Sequence, residues 1–364
     1  MKILYCIPTL EYGGAERQLA YVATALARRG HEVHVACARG GPLGEQLISA
    51  GVRLHTLHPH GNHDPRLIVR LVRLLATLRP DVVQTNLTQM DIVGGAAALF
   101  TRTPWVLRES SAGAMYPPSW KYSVRRLLGR AARVVVSNST GGDAYWRTAG
   151  ARERRVVPNG VTLAEHDLSL GARGHDASHA GESPRLILFA GRMDDAKNAR
   201  ALIDALALLP PALDFAALLC GDGPRRLALE ALVDELGLAS RVAFAGYVAD
   251  LSSLMARADV LVSLSRIEGC PNVVLEAMAS GCPLVVSDIP AHREVLDDSC
   301  AWLVPPDDAA AAASAIAAAL ITGDAAPRAR VARARAAQWP VETTALAYEA
   351  IYRDTRRQPA TTAH

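Results

Sequence analysis

The segment that decides the fold is "KILYCIPTLEYGGAERQLAYVATALARRGHEVHVACA", Lys2 to Ala38. The apolar run Ile3–Ile7 predicts a strand, and "EVHVACA" at the other end predicts a second one. Between them lies a helix that ends at Gly30. Its apolar residues recur at helical spacing: Leu19, Val22, Ala23 and Leu26. The segment is therefore a βαβ unit, which is typical of a parallel sheet.

The same alternation of strand and helix continues along the chain. In the first half, the strands that follow are "PDVVQTNL", "TPWVLRES" and "ARVVVSNST". In the second half, they are "RLILFAG", "FAALLCGDG", "RVAFAGYV", "DVLVSLS", "CPLVVSD" and "AWLVPP". The pattern predicts an α/β protein with two doubly wound, Rossmann-like domains that face each other across a cleft. Ligands bind in such folds at the carboxyl ends of the strands.

A polar segment rich in Gly, Ser and His separates the two halves. We therefore expect a first domain at 1–165, a linker at 166–183 and a second domain at 184–338. The last segment, 339–364, predicts an amphipathic helix that packs back on the first domain. The side chains available for that docking are Leu346, Tyr348, Ile351 and Tyr352.

The composition indicates a globular protein: 50% of the 364 residues are hydrophobic, and the mean hydropathy is +0.11. No apolar run is long enough to cross a bilayer, and Pro8 and Glu11 come too early for a signal peptide. We therefore expect a cytoplasmic protein. Six cysteines without C-x-x-C spacing are typical of reduced structural thiols.

Charge is distributed unevenly. The net charge is only +3, but residues 102–155 contain eleven basic residues and three acidic ones. Within this region, segment 116–133 mixes cations with Trp120, Leu127 and other apolar residues, as in a basic amphipathic helix. Two interpretations remain open: peripheral contact with an anionic membrane, and an ordinary solvated face.

The stretch "SRIEGCPNVVLEAMASGCPLVVSD", Ser265 to Asp288, places two glutamates around a helix start. Pro271 and Gly281 predict a helix from Asn272 to Ser280. Because that helix follows the strand "DVLVSLS", its N-terminus is a candidate site for a diphosphate. Glu268 and Glu276 could then hold hydroxyls at the two ends of the ligand, a sugar and a ribose. The alternative is an ordinary loop acid and an ordinary helix acid.

Two cations follow an earlier strand of the second half. Arg192 and Lys197, in "AGRMDDAKN", could both bond phosphate oxygens. Lysine is rare in this chain, where only Lys2, Lys121 and Lys197 occur. Surface cations after a strand are common, so the pattern alone is weak.

These motifs together resemble glycosyltransferase family 4, retaining enzymes of the GT-B fold that use nucleotide-sugar donors. The resemblance spans almost the whole chain. It rests on "GGAER" at 13–17, "VVPNGV" at 156–161, "AGRMDDAKN" at 190–198, "CGDGP" at 220–224 and the Glu-x7-Glu stretch described above.

The resemblance implies a role for each matching residue. Glu268 would hold the donor sugar and Glu276 the ribose, while Arg192 and Lys197 would neutralise the leaving diphosphate. The remaining donor-binding positions would be Gly13, Gly14, Gly191, Gly221, Asn272 and Val273. The first domain would bind the acceptor, and Glu16 and Arg17 would cap and solvate their helix. No cofactor or metal ligand is expected, because the nucleotide sugar is a substrate.

One departure from the family concerns a histidine often found near the donor in the first domain. The corresponding strand ends, "VVQTNLTQ" and "VLRESSAG", contain none. Glu109 is the best candidate for a polar group at the reacting centre; the alternative is that it pairs structurally with Arg108 or another arginine. The histidines of "HTLHPHGNHD" are more consistent with acceptor contact or solvent exposure than with a metal site: His55, His58, His60 and His63.

The function implied is sugar transfer from a UDP- or GDP-sugar to a glycan or lipid-linked acceptor, in polysaccharide or glycolipid assembly. We expect no nucleic-acid partner. A nucleotide-sugar 2-epimerase and a non-catalytic nucleotide-sugar-binding module remain alternatives. A nicotinamide dehydrogenase is disfavoured, because "EYGGAE" replaces the G-x-G-x-x-G motif of the first βαβ unit.

Overall fold

The computed structural model describes residues 1–61, 64–162 and 184–357. The chain forms two compact units: Met1–Gly160 with the C-terminal segment from Val341, and Val161–Pro340. The expected linker, 166–183, lies outside the described residues. Each unit is built around one parallel sheet, as the alternation of strands and helices predicts.

The sheet of the first unit has the strand order β3-β2-β1-β4-β5-β6-β7, and neighbouring strands pair in parallel. The strands are β1 (Lys2–Ile7), β2 (Glu32–Cys37), β3 (Arg53–Thr56), β4 (Val82–Asn86), β5 (Trp105–Glu109), β6 (Val134–Ser137) and β7 (Arg154–Val156). The strands predicted for this half, β1, β2, β4, β5 and β6, are confirmed. Strands β3 and β7 were not predicted.

Helices connect these strands: α1 (Gly14–Arg28), α2 (Leu43–Ser49), α3 (Arg66–Leu78), α4 (Leu87–Thr101), α5 (Trp120–Gly129) and α6 (Thr140–Ala149). Both faces of the sheet are buried. Along β1, Ile3 and Tyr5 belong to one hydrophobic cluster, while Leu4 and Cys6 belong to another. Successive residues of a strand point to opposite faces, so a strand covered on both sides is apolar along its buried length, as β1 is from Ile3 to Ile7.

The sheet of the second unit has the order β10-β9-β8-β11-β12-β13. Its strands are β8 (Arg185–Ala190), β9 (Phe215–Cys220), β10 (Val242–Gly246), β11 (Val260–Ser263), β12 (Leu284–Ser287) and β13 (Trp302–Val304). Its described helices are α7 (Ala199–Ala207), α8 (Arg226–Glu235), α9 (Leu251–Arg257), α10 (Asn272–Ser280), α11 (Pro290–Arg293), α12 (Ala309–Ile321) and α13 (Ala325–Ala336). All six strands predicted for this half are confirmed.

The last helix, α14 (Val341–Arg357), packs in the first unit, although it follows the second unit in sequence. Tyr348 and Tyr352 are completely buried there. The Tyr352 hydroxyl donates to Gln84 Oε1 at 2.6 Å and lies 3.0 Å from the Tyr5 hydroxyl. Leu346, in contrast, is 47% exposed, so it is not one of the buried docking residues.

Among the described helices, none is by itself long and apolar enough to span a bilayer. Helices α12 and α13 pass the same test together, by length and composition only, with a bend of 99° between them.

Candidate functional site

The order of strands in the second unit identifies one edge of the sheet as a ligand site. Strands β8 and β11 pair directly, and from this pair the chain winds outward in opposite directions. In doubly wound sheets, ligands bind at such a switch point, beyond the carboxyl ends of the strands. The loop after β8 contains Arg192 and Lys197, and the loop after β11 contains Glu268. The fold therefore places three of the predicted site residues in neighbouring loops.

Two of these residues are in direct contact. The ammonium of Lys197 donates to Glu268 Oε1 in an ion pair. The side chain of Glu268 is only 8% exposed, whereas that of Lys197 is 27% exposed. The Ser265 hydroxyl donates to the same carboxylate oxygen at 2.8 Å. Glu268 is thus a buried carboxylate whose cationic partner is partly accessible to solvent.

The electrostatics of this pair favour an ionised Glu268. Burial alone raises the pKa of the carboxyl, because it penalises the charged form. The charge and the hydrogen bond of Lys197, with smaller contributions from His292 and Ser265, more than offset burial. The pKa of Glu268 is consequently below its usual value, so the group is an acceptor of hydrogen bonds at neutral pH.

The loop that contains Lys197 is held by its own hydrogen bonds. Asp194 Oδ1 accepts from the amides of Ala196 at 3.1 Å and Lys197 at 3.0 Å. Asn198 adopts a left-handed conformation, with φ of 53°, and its side-chain amide donates to the carbonyl of Pro306 at 2.7 Å. These bonds fix the direction in which Lys197 leaves the backbone, which is the rigidity that a site needs.

Arg192, the other predicted cation, is not part of the ion pair. Its side chain is 68% exposed, and its Nε lies 3.6 Å from Asp194 Oδ2. An exposed pair of this kind contributes little to stability. Arg192 is therefore accessible to a ligand, and its phosphate-binding role stays a prediction.

Gly191 and Gly221 contact each other through their backbones. Gly221 has φ of +124°, and a Cβ atom there would clash with the carbonyl oxygen of Gly191. Only glycine fits such a close approach. The amide of Gly221 donates to the carbonyl of Gly246 at 2.6 Å. The structure therefore gives Gly221 a packing role at this edge, while a contact with donor stays a prediction.

Helix α10 runs from Asn272 to Ser280, as predicted from its flanking residues. It ends at Gly281, which has the expected left-handed conformation with φ of 70°. The amide of Asn272 donates to the carbonyl of Cys270 at 3.0 Å, so the first amide of the helix already has an acceptor within the chain. Glu276 lies one turn further along, at intermediate burial, and Val273 is partly buried beside the helix start.

In the first unit, a carboxylate lies over the glycines that were expected to contact the donor. The side chain of Glu16 folds back on the start of α1, so that a Cβ atom on Gly13 would clash with it. Thr9 donates to Glu16 Oε1 at 3.1 Å, and burial raises the pKa of Glu16. Glu16 thus lies against the first residues of its own helix, and its capping role stays a prediction. The same carboxylate flanks the amides of Gly13 and Gly14, whose contact with phosphate stays a prediction.

Glu109 is completely buried and accepts four hydrogen bonds. Their donors are the Ser111 amide at 2.9 Å, the Tyr116 hydroxyl at 2.6 Å, Arg125 Nη1 at 2.8 Å and the Trp146 indole at 2.9 Å. Arg125 is itself buried and also bonds Asp91 at 2.7 Å. These contacts favour the structural alternative for Glu109, in which it pairs with an arginine, here Arg125.

The histidine-rich segment does not form one site in the residues described. His55 lies in strand β3 rather than in a loop, and its ring stacks on that of His34 with centroids 5.2 Å apart. His60 is exposed, and His63 lies outside the described residues. Within the described ranges, no group of three or more His, Cys, Asp or Glu side chains is arranged to hold a metal ion.

Three residues near Glu268 were not singled out from the sequence. Ser265, Ser287 and His292 form a buried polar chain that ends at Glu268. The sequence contains only an indirect signal for them. Ser287 ends strand β12, which pairs with β11, and His292 lies in helix α11, which follows β12.

Comparison with known proteins agrees with this arrangement. Residues 12–165 match the family model described as Glycosyltransferase Family 4, and residues 184–321 match the model described as Glycosyl transferases group 1. The chain belongs to glycosyltransferase family 4. Its fold is GT-B, as the sequence resemblance implied.

Similar glycosyltransferases are known from several bacteria. This glycosyltransferase is 28% identical to an α-1,4-N-acetyl-D-galactosaminyltransferase of Campylobacter jejuni, over 76% of this chain and 77% of that one. It is 29% identical to the lipopolysaccharide core biosynthesis glycosyltransferase LpsE of Rhizobium meliloti, over 75% of each. The solved structure of Anabaena HepE with UDP-glucose superposes with a TM-score of 0.85 at 25% identity, over 97% of this chain and 100% of HepE.

Proposed function

We propose that this glycosyltransferase moves a sugar from a nucleoside diphosphate sugar to a hydroxyl of a glycan or lipid-linked acceptor at the cytoplasmic surface of a membrane. A UDP-sugar is the first candidate donor, because the similar HepE binds UDP-glucose. We further propose retention of the anomeric configuration, which the resemblance to the family implies.

The observation that carries the proposal is the pair formed by Lys197 and Glu268 in the loops after β8 and β11. A carboxylate kept ionised in a buried position can accept hydrogen bonds from sugar hydroxyls. A lysine whose ammonium is partly exposed can bond the oxygens of a diphosphate. Both groups precede helix N-termini, where negative charge is favoured.

The physical barrier to transfer is the separation of an oxocarbenium-like sugar from its negatively charged leaving group. Lys197, Arg192 and the start of α10 would stabilise that departing charge by preorganised electrostatics. In the front-face route that we propose, the bond from the anomeric carbon to the diphosphate breaks as the acceptor oxygen bonds the same carbon. The acceptor proton passes to a diphosphate oxygen.

The acceptor part of the proposal rests on the relatives. The Campylobacter jejuni enzyme acts on a glycan linked to undecaprenol diphosphate, and LpsE acts in lipopolysaccharide core biosynthesis. A lipid-linked glycan is therefore the first acceptor class to test.

The donor is tested by the shift of the melting temperature with UDP, GDP, ADP, CMP and NAD, since a ligand of the folded state raises it. We expect a shift with UDP or GDP that is lost in Glu276→Ala. A shift with NAD alone would contradict the proposal. Product analysis separates the alternatives: epimerisation without acceptor favours an epimerase, and tight donor binding without turnover favours a binding module.

Helix α5 supports the membrane part of the proposal. Trp120 and Leu127 lie seven residues apart on the same face and are 70% and 65% exposed. Lys121 and Arg130 are also exposed. We call these four residues the basic apolar face. Arg125 does not belong to it, because its guanidinium is buried against Glu109.

Vesicle sedimentation tests the basic apolar face. We expect binding to phosphatidylglycerol vesicles but not to phosphatidylcholine vesicles. In the double variant Trp120→Ser, Leu127→Ser, we expect the affinity for phosphatidylglycerol vesicles to fall by about tenfold. Leu227→Ser is the matched control, because Leu227 is 81% exposed on helix α8 of the second unit. Equal binding of the two vesicle types, or equal losses in both variants, would contradict membrane contact through this face.

A further inference from the structure

A chain of hydrogen bonds connects a buried histidine to Glu268. His292 Nδ1 lies 2.7 Å from the carbonyl oxygen of Ser287. The Ser287 hydroxyl donates to the carbonyl of Ser265 at 2.5 Å. The Ser265 hydroxyl then donates to Glu268 Oε1 at 2.8 Å. His292 and Ser287 are completely buried, and Ser265 is 1% exposed.

The direction of this chain fixes the protonation of the histidine. Nδ1 lies closer to the carbonyl oxygen of Ser287 than to the Ser287 hydroxyl oxygen, which is 3.2 Å away. A carbonyl oxygen can only accept, so we assign the proton to His292 Nδ1. In the neutral ring, Nε2 is then a bare acceptor. It is buried, and no partner for it is present among the described residues. Burial also lowers the pKa of His292, against the opposing charge of Glu268, which favours the neutral ring at pH 7.

We propose that His292 is a positioning residue for the donor sugar, because it holds Ser287 and, through Ser265, the carboxylate of Glu268 in the orientation that sugar hydroxyls require. This inference rests on the proposed function of Glu268 and adds a residue to it. The bonds are buried, so they do not compete with water, and a network of this kind keeps its geometry.

The charges that face His292 are consistent with a positioning role. Glu268 and Asp288 attract a proton to the ring, while Lys197 repels it. Lys197 bonds Glu268 directly, so the same carboxylate oxygen accepts from a partly exposed cation and from the buried serine chain. Loss of the serine chain should therefore make the orientation of the Glu268 carboxylate less well defined, while the carboxylate itself remains.

The test compares the affinities of UDP-glucose and UDP, because only the former carries a sugar. In His292→Ala we expect UDP-glucose to bind about threefold to tenfold more weakly, with UDP unchanged. His292→Asn should recover most of the affinity, since its amide can donate to Ser287 in place of Nδ1. In a Glu268→Gln background, His292→Ala should have no further effect. Equal losses for both ligands, or an additive loss in the double variant, would overturn the inference.

A second measurement does not depend on ligand binding. Nitrogen-15 NMR distinguishes the two neutral tautomers of histidine, and the signal of His292 is assigned by its loss in His292→Asn. We expect the Nδ1–H tautomer, and the Nε2–H tautomer would overturn the chain of bonds. If wild type binds UDP-glucose no better than UDP while the Nδ1–H tautomer is found, the proposed sugar contact of Glu268 fails rather than the serine chain.

Discussion

Two buried glutamates, one in each unit, lie at or just after the end of a strand, and they differ in the side chains that surround them. Glu109 ends β5, and Glu268 follows β11 by a short loop. Both pair with a cation. The partner of Glu109 is Arg125, which is itself completely buried, whereas the partner of Glu268 is Lys197, which is partly exposed. Four donors surround Glu109, two of them aromatic side chains.

The difference shows how to distinguish a structural carboxylate from a candidate functional one. A carboxylate whose acceptor sites are filled by fixed, buried donors has no capacity left for a ligand. A carboxylate held by a serine and a flexible lysine can exchange the lysine for a sugar hydroxyl while the ammonium moves to phosphate. Burial and charge of the two carboxylates are similar; the exposure of the cationic partner separates them.

The largest effect, on stability, is expected from breaking the buried ion pair of Arg125 with Glu109. Arg125→Met leaves Glu109 and Asp91 buried without their cation, which we expect to lower the free energy of unfolding by about 3–5 kcal/mol. Urea denaturation measures it. Arg126→Met is the matched control: Arg126 is less buried and lies over the ring of Tyr145, so the loss should be under about 1 kcal/mol. Similar losses in both variants would remove the contrast between the two glutamates.

A smaller effect, on turnover rather than on stability, is expected at the other glutamate. Glu268→Gln keeps the shape of the side chain but removes its charge, and Lys197 can turn toward solvent. We expect the rate of sugar transfer to fall by about 100-fold, as when one preorganised group is lost from an active site. Glu109→Gln serves as the comparison, with the larger loss of stability. Unchanged turnover in Glu268→Gln would exclude it from the site.

The sequence predicts local features of this protein well. Helix α10 begins and ends where Pro271 and Gly281 predict, and the buried strands appear where apolar runs predict them. Lys197 and Glu268 were both candidate site residues from their positions in the sequence, and the family resemblance supports both. Their contact was not predicted, because it depends on the pairing of β8 with β11, two strands that are far apart in sequence.

Residues whose role depends on tertiary neighbours could not be predicted. Arg125 is one of the eleven basic residues counted in 102–155, and the interpretation of segment 116–133 as a basic amphipathic helix placed it on the surface. That placement was wrong, because Arg125 is buried. Its position on α5 looks like that of its neighbours, but Asp91 on α4 and Glu109 on β5 draw it into the core. The role of His292 could not be predicted for the same reason, since only the fold brings Ser287 beside Ser265.

The smallest effect, a dependence of stability on pH, tests whether Lys197 keeps Glu268 ionised. In wild type, the pKa of Glu268 lies below its usual value, so the native state releases its proton more readily than the unfolded chain. The stabilisation is present above the unfolded pKa of about 4.3 and is lost as pH falls through the folded pKa. In Lys197→Met, burial is no longer offset by the lysine, and we expect the pKa of Glu268 to rise above its usual value.

The sign of the pH effect then reverses in the variant. A raised pKa means that the native state binds a proton more readily than the unfolded chain, so ionised Glu268 destabilises the variant at neutral pH and protonation relieves it. We therefore expect the difference in melting temperature between wild type and Lys197→Met to be largest at pH 7 and to shrink as pH falls toward the unfolded pKa. The same lysine substitution in a Glu268→Gln background should give a difference that is independent of pH. A constant difference with Glu268 present would mean that Lys197 does not control this carboxylate, and the contrast with the fixed pair of Arg125 and Glu109 would rest on geometry alone.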